Sequence, residues 1–302
     1  MSGAPRPTPQ AAPTTAPTPP PSASSPVVCV DLDRTLIYSP SALAVEVDDA
    51  DAPRLLCVEL YRGAPLSFVT EAAAALIVEL GAAATVVPTT TRTTAQLARV
   101  HLPGPPSRYA IASNGGHLLV DGVPDEDWSA RVRHRVRGCA APAEVLTRVR
   151  QGADGFVETL RTASDLFVYA VVRRDAMPPD WLAALAGWCA SRGWHTSLQG
   201  RKVYCVPVPL TKSAAAREVV RRTGAPRLLA AGDSLLDGEL LAAADEGVRP
   251  AAGELADSGW DAAHVHVTSR PGVAGGEELV RWLLDRVRPG PVDGPGALLR
   301  VP

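Results

Sequence analysis

Two aspartates separated by a single residue follow a short apolar run near the start of the chain. The run, residues 27–30, is too short for a helix and rich in Val, which is typical of a buried parallel strand. Asp31 and Asp33 come directly after it. Ligand-binding and catalytic groups in open α/β sheets gather at the carboxyl ends of strands. Two carboxylates at such an end can share a hard cation and divide nucleophilic and acid–base roles between them.

An isolated Asp-x-Asp pair more often only begins a turn, but three later segments argue against that interpretation here. Residues 86–92 form a second apolar run that ends in three threonines and an arginine. Residues 210–213 place a lysine at the start of an alanine-rich helical stretch. Residues 228–237 form a third apolar run that leads into Gly-Asp and a second Asp four residues later. Each segment alone is weak evidence, whereas the ordered set indicates one site.

In this order the four segments resemble the four motifs of the haloacid dehalogenase (HAD) superfamily, which are Asp-x-Asp-x-Thr, a Ser or Thr, a Lys, and Gly-Asp-x-x-x-Asp. The resemblance covers roughly residues 27–285. It implies an α/β fold with a Rossmann-like doubly wound parallel sheet core and an inserted α+β cap domain. The branch resembled includes Cof-type enzymes, mannosyl-3-phosphoglycerate phosphatase and sucrose-phosphatase. Residues 31–39 and 232–237 also have a faint likeness to HAD proteins encoded alongside tellurium-resistance systems.

The resemblance implies a role for each polar residue of the first motif. Asp31 is the expected nucleophile, which forms an aspartyl-phosphate that water then hydrolyses. Asp33 projects to the same side of a strand-like backbone, and it is the expected acid for the leaving alcohol and then the base for water. Thr35 fits the fixed hydroxyl of the motif, a structural role more than a catalytic one.

A transferring phosphoryl group needs its negative oxygens held, and Thr90 and Lys212 fit that task. The choice of Thr90 depends on matching residues 90–92 to the Thr-Gly-Arg of related capped phosphatases, so Thr89 and Thr91 remain open. A cation is unfavourable at a helix N-terminus, which indicates that Lys212 faces an anion. Lys202 is the competing lysine, but its surroundings are typical of a hairpin in the cap.

Asp31, Asp233 and Asp237 would repel one another in a single pocket unless a cation lay among them. Ligands that are all oxygens, with positions left for water, favour Mg²⁺. In HAD proteins the metal is held by the residues matching Asp31, the main-chain carbonyl of Asp33, and Asp233, while the match of Asp237 assists indirectly. Both acids of the last motif can also serve as ordinary helix-start residues, which does not compete with metal binding.

Two residues depart from the pattern of the family. Arg34 stands where Gly or Asn is common, and it either contacts a second anionic group of the substrate or faces solvent. Leu236 stands where many relatives have Asn before the last Asp. Asn114 lies in an Asn-Gly-Gly turn that resembles a feature of HAD proteins with a cap between the second and third motifs. The predicted substrate contacts are Thr90, Thr91, Asn114, Lys212 and Arg34.

Periodicity along the chain predicts the elements that surround the site. Leu43–Val47 and Leu55–Tyr61 alternate apolar and polar residues around an acidic, proline-containing turn, which predicts a β-hairpin flap. Residues 71–80 read as a helix that Gly81 closes. We expect a discontinuous core over residues 26–124 and 201–288, a cap over residues 125–200, a disordered Pro/Ala/Thr-rich tail over residues 1–25, and a flexible tail over residues 289–302.

Composition excludes several classes of function. The net charge is −2 and the aromatic content is 5 %, so nothing indicates a nucleic acid or membrane partner. The basic run at residues 131–137 alternates with Val and favours a solvated face. The five cysteines are scattered without a Cys-x-x-Cys pair, which indicates thiols in a reducing compartment. With no stretch apolar enough to span a bilayer, we expect a cytoplasmic protein.

The leading hypothesis is a Mg²⁺-dependent phosphatase of a small, sugar-phosphate-like metabolite, because a cap excludes large substrates. A phosphotransferase that resembles phosphomannomutase is the second hypothesis, and phosphate release against isomer interconversion would separate the two. The third is a regulatory protein of a stress-response system that senses a phosphorylated ligand. The expected partner in each case is a small phosphorylated molecule, and the oligomeric state is left open.

Overall fold

The computed structural model describes residues 25–288 except residues 46 and 49. The predicted tail at residues 1–25 lies outside the described residues apart from Ser25, and the predicted tail at residues 289–302 lies wholly outside them. Within the described part of the chain, no helix combines the length and the apolar character that a membrane crossing requires.

The described residues form strands β1 (Val27–Val30), β2 (Leu55–Tyr61), β3 (Ala64–Thr70), β4 (Thr85–Pro88), β5 (Tyr109–Ala112), β6 (His117–Val120), β7 (Val123–Pro124), β8 (Val157–Ala163), β9 (Phe167–Val172), β10 (Trp194–Gln199), β11 (Lys202–Pro207), β12 (Leu228–Ala231), β13 (Glu246–Arg249) and β14 (Val265–Val267). They also form helices α1 (Glu71–Ala83), α2 (Thr94–Leu97), α3 (Glu126–Arg135), α4 (Pro142–Arg150), α5 (Trp181–Ala190), α6 (Lys212–Thr223), α7 (Gly238–Ala243), α8 (Glu254–Asp257) and α9 (Gly272–Val287).

A five-stranded parallel sheet in the order β14-β13-β12-β1-β4 forms the core of the fold. Every residue of β1 is buried, and alternate side chains face opposite layers of helices. Val27 and Cys29 pack in a cluster with α6 and α7, whereas Val28 and Val30 pack in a second cluster with α1 and α9. The predicted α/β class and doubly wound parallel sheet are confirmed. Because β1 lies between β12 and β4, the loops that follow these three strands meet at one edge.

A second, antiparallel sheet has the order β10-β11-β9-β8, with α4 and α5 packed against it. It overlaps the span predicted as the cap, residues 125–200. Strand β11 begins at Lys202 and pairs with both β9 and β10, so the sheet extends beyond that span to Pro207. The sequence pattern suggested the β10–β11 hairpin, whereas β8 was not predicted.

The predicted flap is a hairpin, but its partner strands differ from the prediction. The described residues at 43–45 and 47 form no strand, and β2 pairs instead with β3. The turn lies at Arg62 and Gly63, with φ values of 51° and 80°. Positive φ at both central residues is the two-residue turn whose twist suits a β-hairpin. The acidic segment before β2 resembled a turn in composition only.

The prediction that Gly81 closes the first helix is also wrong, because α1 continues to Ala83. Gly81 keeps an ordinary helical conformation with open space around it. A single glycine inside a helix costs only about 1 kcal/mol, which the packing of α1 against α9 outweighs.

Gly115 provides a test of how tightly the core is built around the segment that precedes α6. Its φ is +91°, and a Cβ atom there would lie 2.1 Å from the main-chain oxygen of Thr211. We expect Gly115→Ala to lower the free energy of unfolding by about 2–4 kcal/mol, because both the backbone strain and the clash are unavoidable. Urea denaturation measures the change. The matched control Gly81→Ala should be neutral or stabilising by up to about 1 kcal/mol, and equal effects of the two substitutions would contradict this packing.

Candidate active site

Three aspartates meet at the carboxyl edge of the parallel sheet. Asp31 directly follows β1, and its main-chain N–H donates to the oxygen of Ala231 at the end of β12 over 2.9 Å. Asp233 follows β12, and Asp237 lies in the turn that leads to α7. One carboxylate oxygen of each aspartate lies within 4.8 Å of the others, and all three residues are buried. These three aspartates, from different parts of the sequence, therefore form a compact acidic cluster.

The ammonium of Lys212 lies inside this cluster. Its Nζ donates to Oδ1 of Asp31 and to Oδ1 of Asp237, each over 2.6 Å, and the residue is 1 % exposed. The hydroxyl of Thr211 caps α6 and leaves Lys212 as the first helical residue. Burial and the helix N-terminus both oppose a cation here. Burial acts to lower the pKa of Lys212, but Asp237 and Asp31 outweigh it and raise that pKa above its ordinary value.

Three carboxylates face one ammonium in the cluster, so Lys212 alone cannot balance all of them in their ionised forms. Burial raises the pKa of Asp31 to about 7 although Lys212 opposes the shift, and burial with the neighbouring carboxylates also raises the pKa of Asp233. Both oxygens of Asp237 already accept hydrogen bonds, Oδ1 from Lys212 and Oδ2 from Ser234. Oδ2 of Asp31 has no hydrogen-bond donor among the described residues. A hard divalent cation therefore fits the cluster best at Asp31 and Asp233.

Asp33 lies apart from the acidic cluster. Its carboxylate accepts two hydrogen bonds from Arg92, from Nε over 2.7 Å and from Nη2 over 2.8 Å. Burial acts to raise the pKa of Asp33, but the hydrogen bonds and charge of Arg92 prevail and hold that pKa below its ordinary value. Asp33 is therefore ionised in this arrangement, which suits a proton acceptor. It becomes a proton donor only if the pair with Arg92 separates.

The hairpin of β2 and β3 holds the other side of Arg92. Oε2 of Glu59 lies 2.8 Å from Nη1 of Arg92, while Ser67 and Arg99 also contact this buried carboxylate. A bulge in β2 turns Glu59 inward next to the buried Val58, which breaks the alternation of the strand. Sequence reasoning missed Glu59 for that reason. In the sequence, Arg92 served only to align the three threonines. An arginine two residues after a phosphate-binding hydroxyl could also have indicated a residue of the site.

The three consecutive threonines after β4 differ in what their hydroxyl groups contact. Thr89 donates its hydroxyl to the main-chain oxygen of Val87 over 2.9 Å, so that proton is already used. Oγ1 of the fully buried Thr90 accepts from the N–H of Arg92 over 3.1 Å, which leaves its own proton for another acceptor. Thr91 lines a small cavity together with Tyr204. This geometry favours Thr90 or Thr91 over Thr89 as a contact for an anion.

Asn114 and Arg34 occupy very different positions. Asn114 is 1 % exposed, and its Nδ2 donates to the oxygen of Leu210 over 2.7 Å. Its main-chain N–H donates to the oxygen of Thr90 over 3.0 Å, so the residue ties the segment before α6 to the threonines. Arg34 is exposed, and a Cβ atom on Gly200 would lie 3.2 Å from its Nη2. Its guanidinium thus reaches the β10–β11 turn.

Substitution of Lys212 tests whether it neutralises the acidic cluster. We expect Lys212→Met to lower the free energy of unfolding by about 3–5 kcal/mol at pH 8 in EDTA, because it leaves buried carboxylates without a counter-charge. The loss should shrink at pH 5. A carboxyl group whose folded-state pKa is raised stabilises the fold below its unfolded pKa, and that contribution disappears as the pH rises through the folded pKa.

Urea denaturation of the variant and the parent at both pH values measures this effect. Arg217→Met is the matched control, since Arg217 is exposed on the same helix. An equal loss at pH 5 and pH 8 would show that Lys212 does not act through the charge of its neighbours.

The similarity of this chain to known proteins lies in its fold. No protein-family model matches the sequence, no curated protein matches it, and nothing in the comparisons supports the likeness to tellurium-resistance proteins. The structure is similar to that of the sucrose-phosphatase from Synechocystis sp. PCC6803 in complex with sucrose and phosphate, with a TM-score of 0.60 and 13 % identity over 86 % of this chain and 98 % of that chain.

Two further solved structures support the same conclusion. A phosphatase of the haloalkanoate (HAD) superfamily from Bacteroides thetaiotaomicron matches with a TM-score of 0.52 and 14 % identity, over 89 % of this chain and 98 % of its own. A HAD subclass IIB sugar phosphatase matches with a TM-score of 0.51 and 12 % identity, over 87 % of this chain and 98 % of its own. The chain therefore has the fold of the capped HAD phosphatases.

Proposed function

We propose that the protein is a Mg²⁺-dependent phosphatase that hydrolyses a small phosphorylated metabolite through an aspartyl-phosphate. The observation that carries the proposal is the buried contact of Lys212 with Asp31 and Asp237, with Asp233 beside them, at the carboxyl ends of β1 and β12. Such an arrangement presents a positioned carboxylate and a fixed ammonium where a phosphoryl group could be held. The motif residues lie together at the carboxyl edge of the parallel sheet, which is consistent with the roles proposed for them.

In the first half of the reaction, an oxygen of Asp31 attacks phosphorus and the ester P–O bond breaks. The hydrogen bond from Lys212 to Oδ1 fixes the orientation of the Asp31 carboxylate for in-line attack. Lys212 and the free hydroxyl proton of Thr90 stabilise the charge on the phosphoryl oxygens. The leaving alcohol takes a proton from Asp33, which must first gain that proton from solvent once Arg92 has loosened its two hydrogen bonds.

In the second half, water attacks the aspartyl-phosphate and the P–O bond to Asp31 breaks. Asp33 accepts the proton of that water, and its lowered pKa within the Arg92 pair keeps it ionised and ready for this step. Asp31 and Asp233 would hold Mg²⁺, with Asp237 assisting through Lys212 and Ser234. When bound, the cation supplies positive charge that keeps Asp31 ionised and neutralises phosphate oxygens.

The cap has a role in the proposed reaction. Residues 125–207, which include the antiparallel sheet, act as a lid over the site, while residues 26–124 and 208–288 form the core. Support comes from cavities that residues of both parts line, among them Arg92 after β4 and Lys202 of β11. A lid of this size limits access to small substrates.

Substitution of the nucleophile tests the chemistry. We expect Asp31→Asn to reduce phosphate release by about 10³-fold or more, because the amide keeps the shape but removes the attacking charge. The variant should stay folded, since it also removes one buried negative charge. Phosphate release from a panel of phosphate esters measures the effect, and Asp127→Asn on the exposed surface of α3 is the control. Turnover within tenfold of the parent would rule out Asp31 as the nucleophile.

Removal of the metal tests the acidic cluster in two independent ways. We expect EDTA to abolish turnover and Mg²⁺ to restore it. We also expect Mg²⁺ to raise the melting temperature of the parent, because the ion binds the folded cluster and not the unfolded chain. In Asp233→Asn the thermal shift should be lost or much reduced. Full activity of verified metal-free protein, or an undiminished thermal shift in Asp233→Asn, would contradict the proposed metal site.

A further inference from the structure

A second cavity, about 550 Å³ in volume, lies beside the pair of Arg92 and Asp33. Three parts of the molecule contribute to its walls. The β2–β3 hairpin supplies Tyr61, the segment after β4 supplies Arg92 and Arg99, and the antiparallel sheet supplies Arg161, Tyr169 and Lys202. A smaller cavity of about 150 Å³ shares Arg92, Tyr169 and Lys202 with it and extends to Thr91. The position suits the part of a substrate that leaves with the oxygen of the ester.

The charge of this cavity is strongly one-sided. Four of its lining residues are cationic and none is acidic. Arg92 and Arg99 are balanced by Asp33 and Glu59, which they contact at ion-pair distance. Arg161 and Lys202 have no carboxylate within 4.0 Å in the described part of the chain. Lys202 is attracted by Asp33 only beyond ion-pair distance, and Arg161 has no ion pair among the described residues, so neither cation is directly neutralised on this side of the cavity.

Arg161 and Lys202 line the same partly open cavity with like charges, so they repel each other there. An anion that enters the cavity would remove the repulsion and gain two charge-assisted hydrogen bonds. The aromatic faces of Tyr61 and Tyr169 supply flat apolar surface at the same place.

We propose that this cavity binds a second anionic group of the substrate, a carboxylate or a further phosphate, through Lys202 and Arg161. The inference rests on the proposed phosphatase function and names its substrate class. The substrate carries one phosphate at the acidic cluster and a second anion on its leaving group. Specificity then comes from charge as well as from the shape of the cap.

Pairs of probe substrates that differ only in the second group test this inference. Glycerol 3-phosphate and 3-phosphoglycerate differ by a carboxylate, while a hexose 6-phosphate and the matching hexose bisphosphate differ by a phosphate. We expect kcat/KM to favour one of the anionic probes by about tenfold or more. The pair with the larger ratio identifies whether the second group is a carboxylate or a phosphate. Ratios near one in both pairs would overturn the proposal.

Variants locate the preference in the cavity. The double variant Lys202→Gln with Arg161→Gln should lower the preferred ratio at least tenfold, mainly through KM of the anionic probe. Arg174→Gln is the matched control, because Arg174 is exposed in the same sheet region and lines neither of these two cavities. Added KCl should lower the ratio in the parent more than in the double variant. An unchanged ratio in the double variant would overturn the assignment.

A binding measurement separates this proposal from the proposed function. Calorimetric titration of Asp31→Asn with the same four probes needs no turnover. Tighter binding of an anionic probe that disappears in the Lys202 and Arg161 substitutions supports the cavity even if no phosphate ester is hydrolysed. Equal affinities within both pairs overturn it even if the protein is an active phosphatase.

Discussion

The ammonium of Lys212 shares one buried pocket with three carboxylates, and the surrounding loops are arranged to keep it there. Two hydrogen bonds of 2.6 Å hold it between Asp31 and Asp237. A buried ion pair of this kind adds little stability by itself, but loss of one partner is costly. The approach of Gly115 to Thr211, just before Lys212, is one consequence of this requirement. The close packing of Gly253 against Asp233 is another. Both positions exclude a side chain so that the charged groups can meet.

The two carboxylates of the first motif have opposite electrostatic surroundings. Burial raises the pKa of Asp31, whereas Arg92 holds the pKa of the partly exposed Asp33 low. Environments that move the pKa values of neighbouring acids apart are how active sites assign different roles to the same residue type. Glu59 gives Arg92 a second carboxylate to pair with, 2.8 Å from its Nη1. The hairpin therefore helps to hold Arg92, the residue that lowers the pKa of Asp33.

Local sequence patterns predicted the conformation of short segments. They failed for features that depend on contacts between segments distant in sequence. The Val-rich run of β1 is unambiguous because both faces of a central parallel strand are buried. The predicted partner strand of β2 was wrong because the composition of the Arg62–Gly63 turn indicates a turn less strongly than that of the acidic segment before β2. Strand β11 follows a hairpin turn, and only its pairing with β9 joins the β10–β11 hairpin to the rest of the antiparallel sheet. The motif order suggested the acidic cluster, whereas the ion pairs of Arg92 depend on Asp33 and Glu59, which are distant from it in sequence.

The antiparallel sheet and the acidic cluster are also joined through one carboxylate outside the motifs. Glu254 in α8 accepts hydrogen bonds from the hydroxyl of Ser197 and the N–H of Leu198 in β10. It also accepts from the N–H of Leu235, two residues before Asp237. The same side chain therefore connects strand β10 of the antiparallel sheet with the loop that carries Asp237.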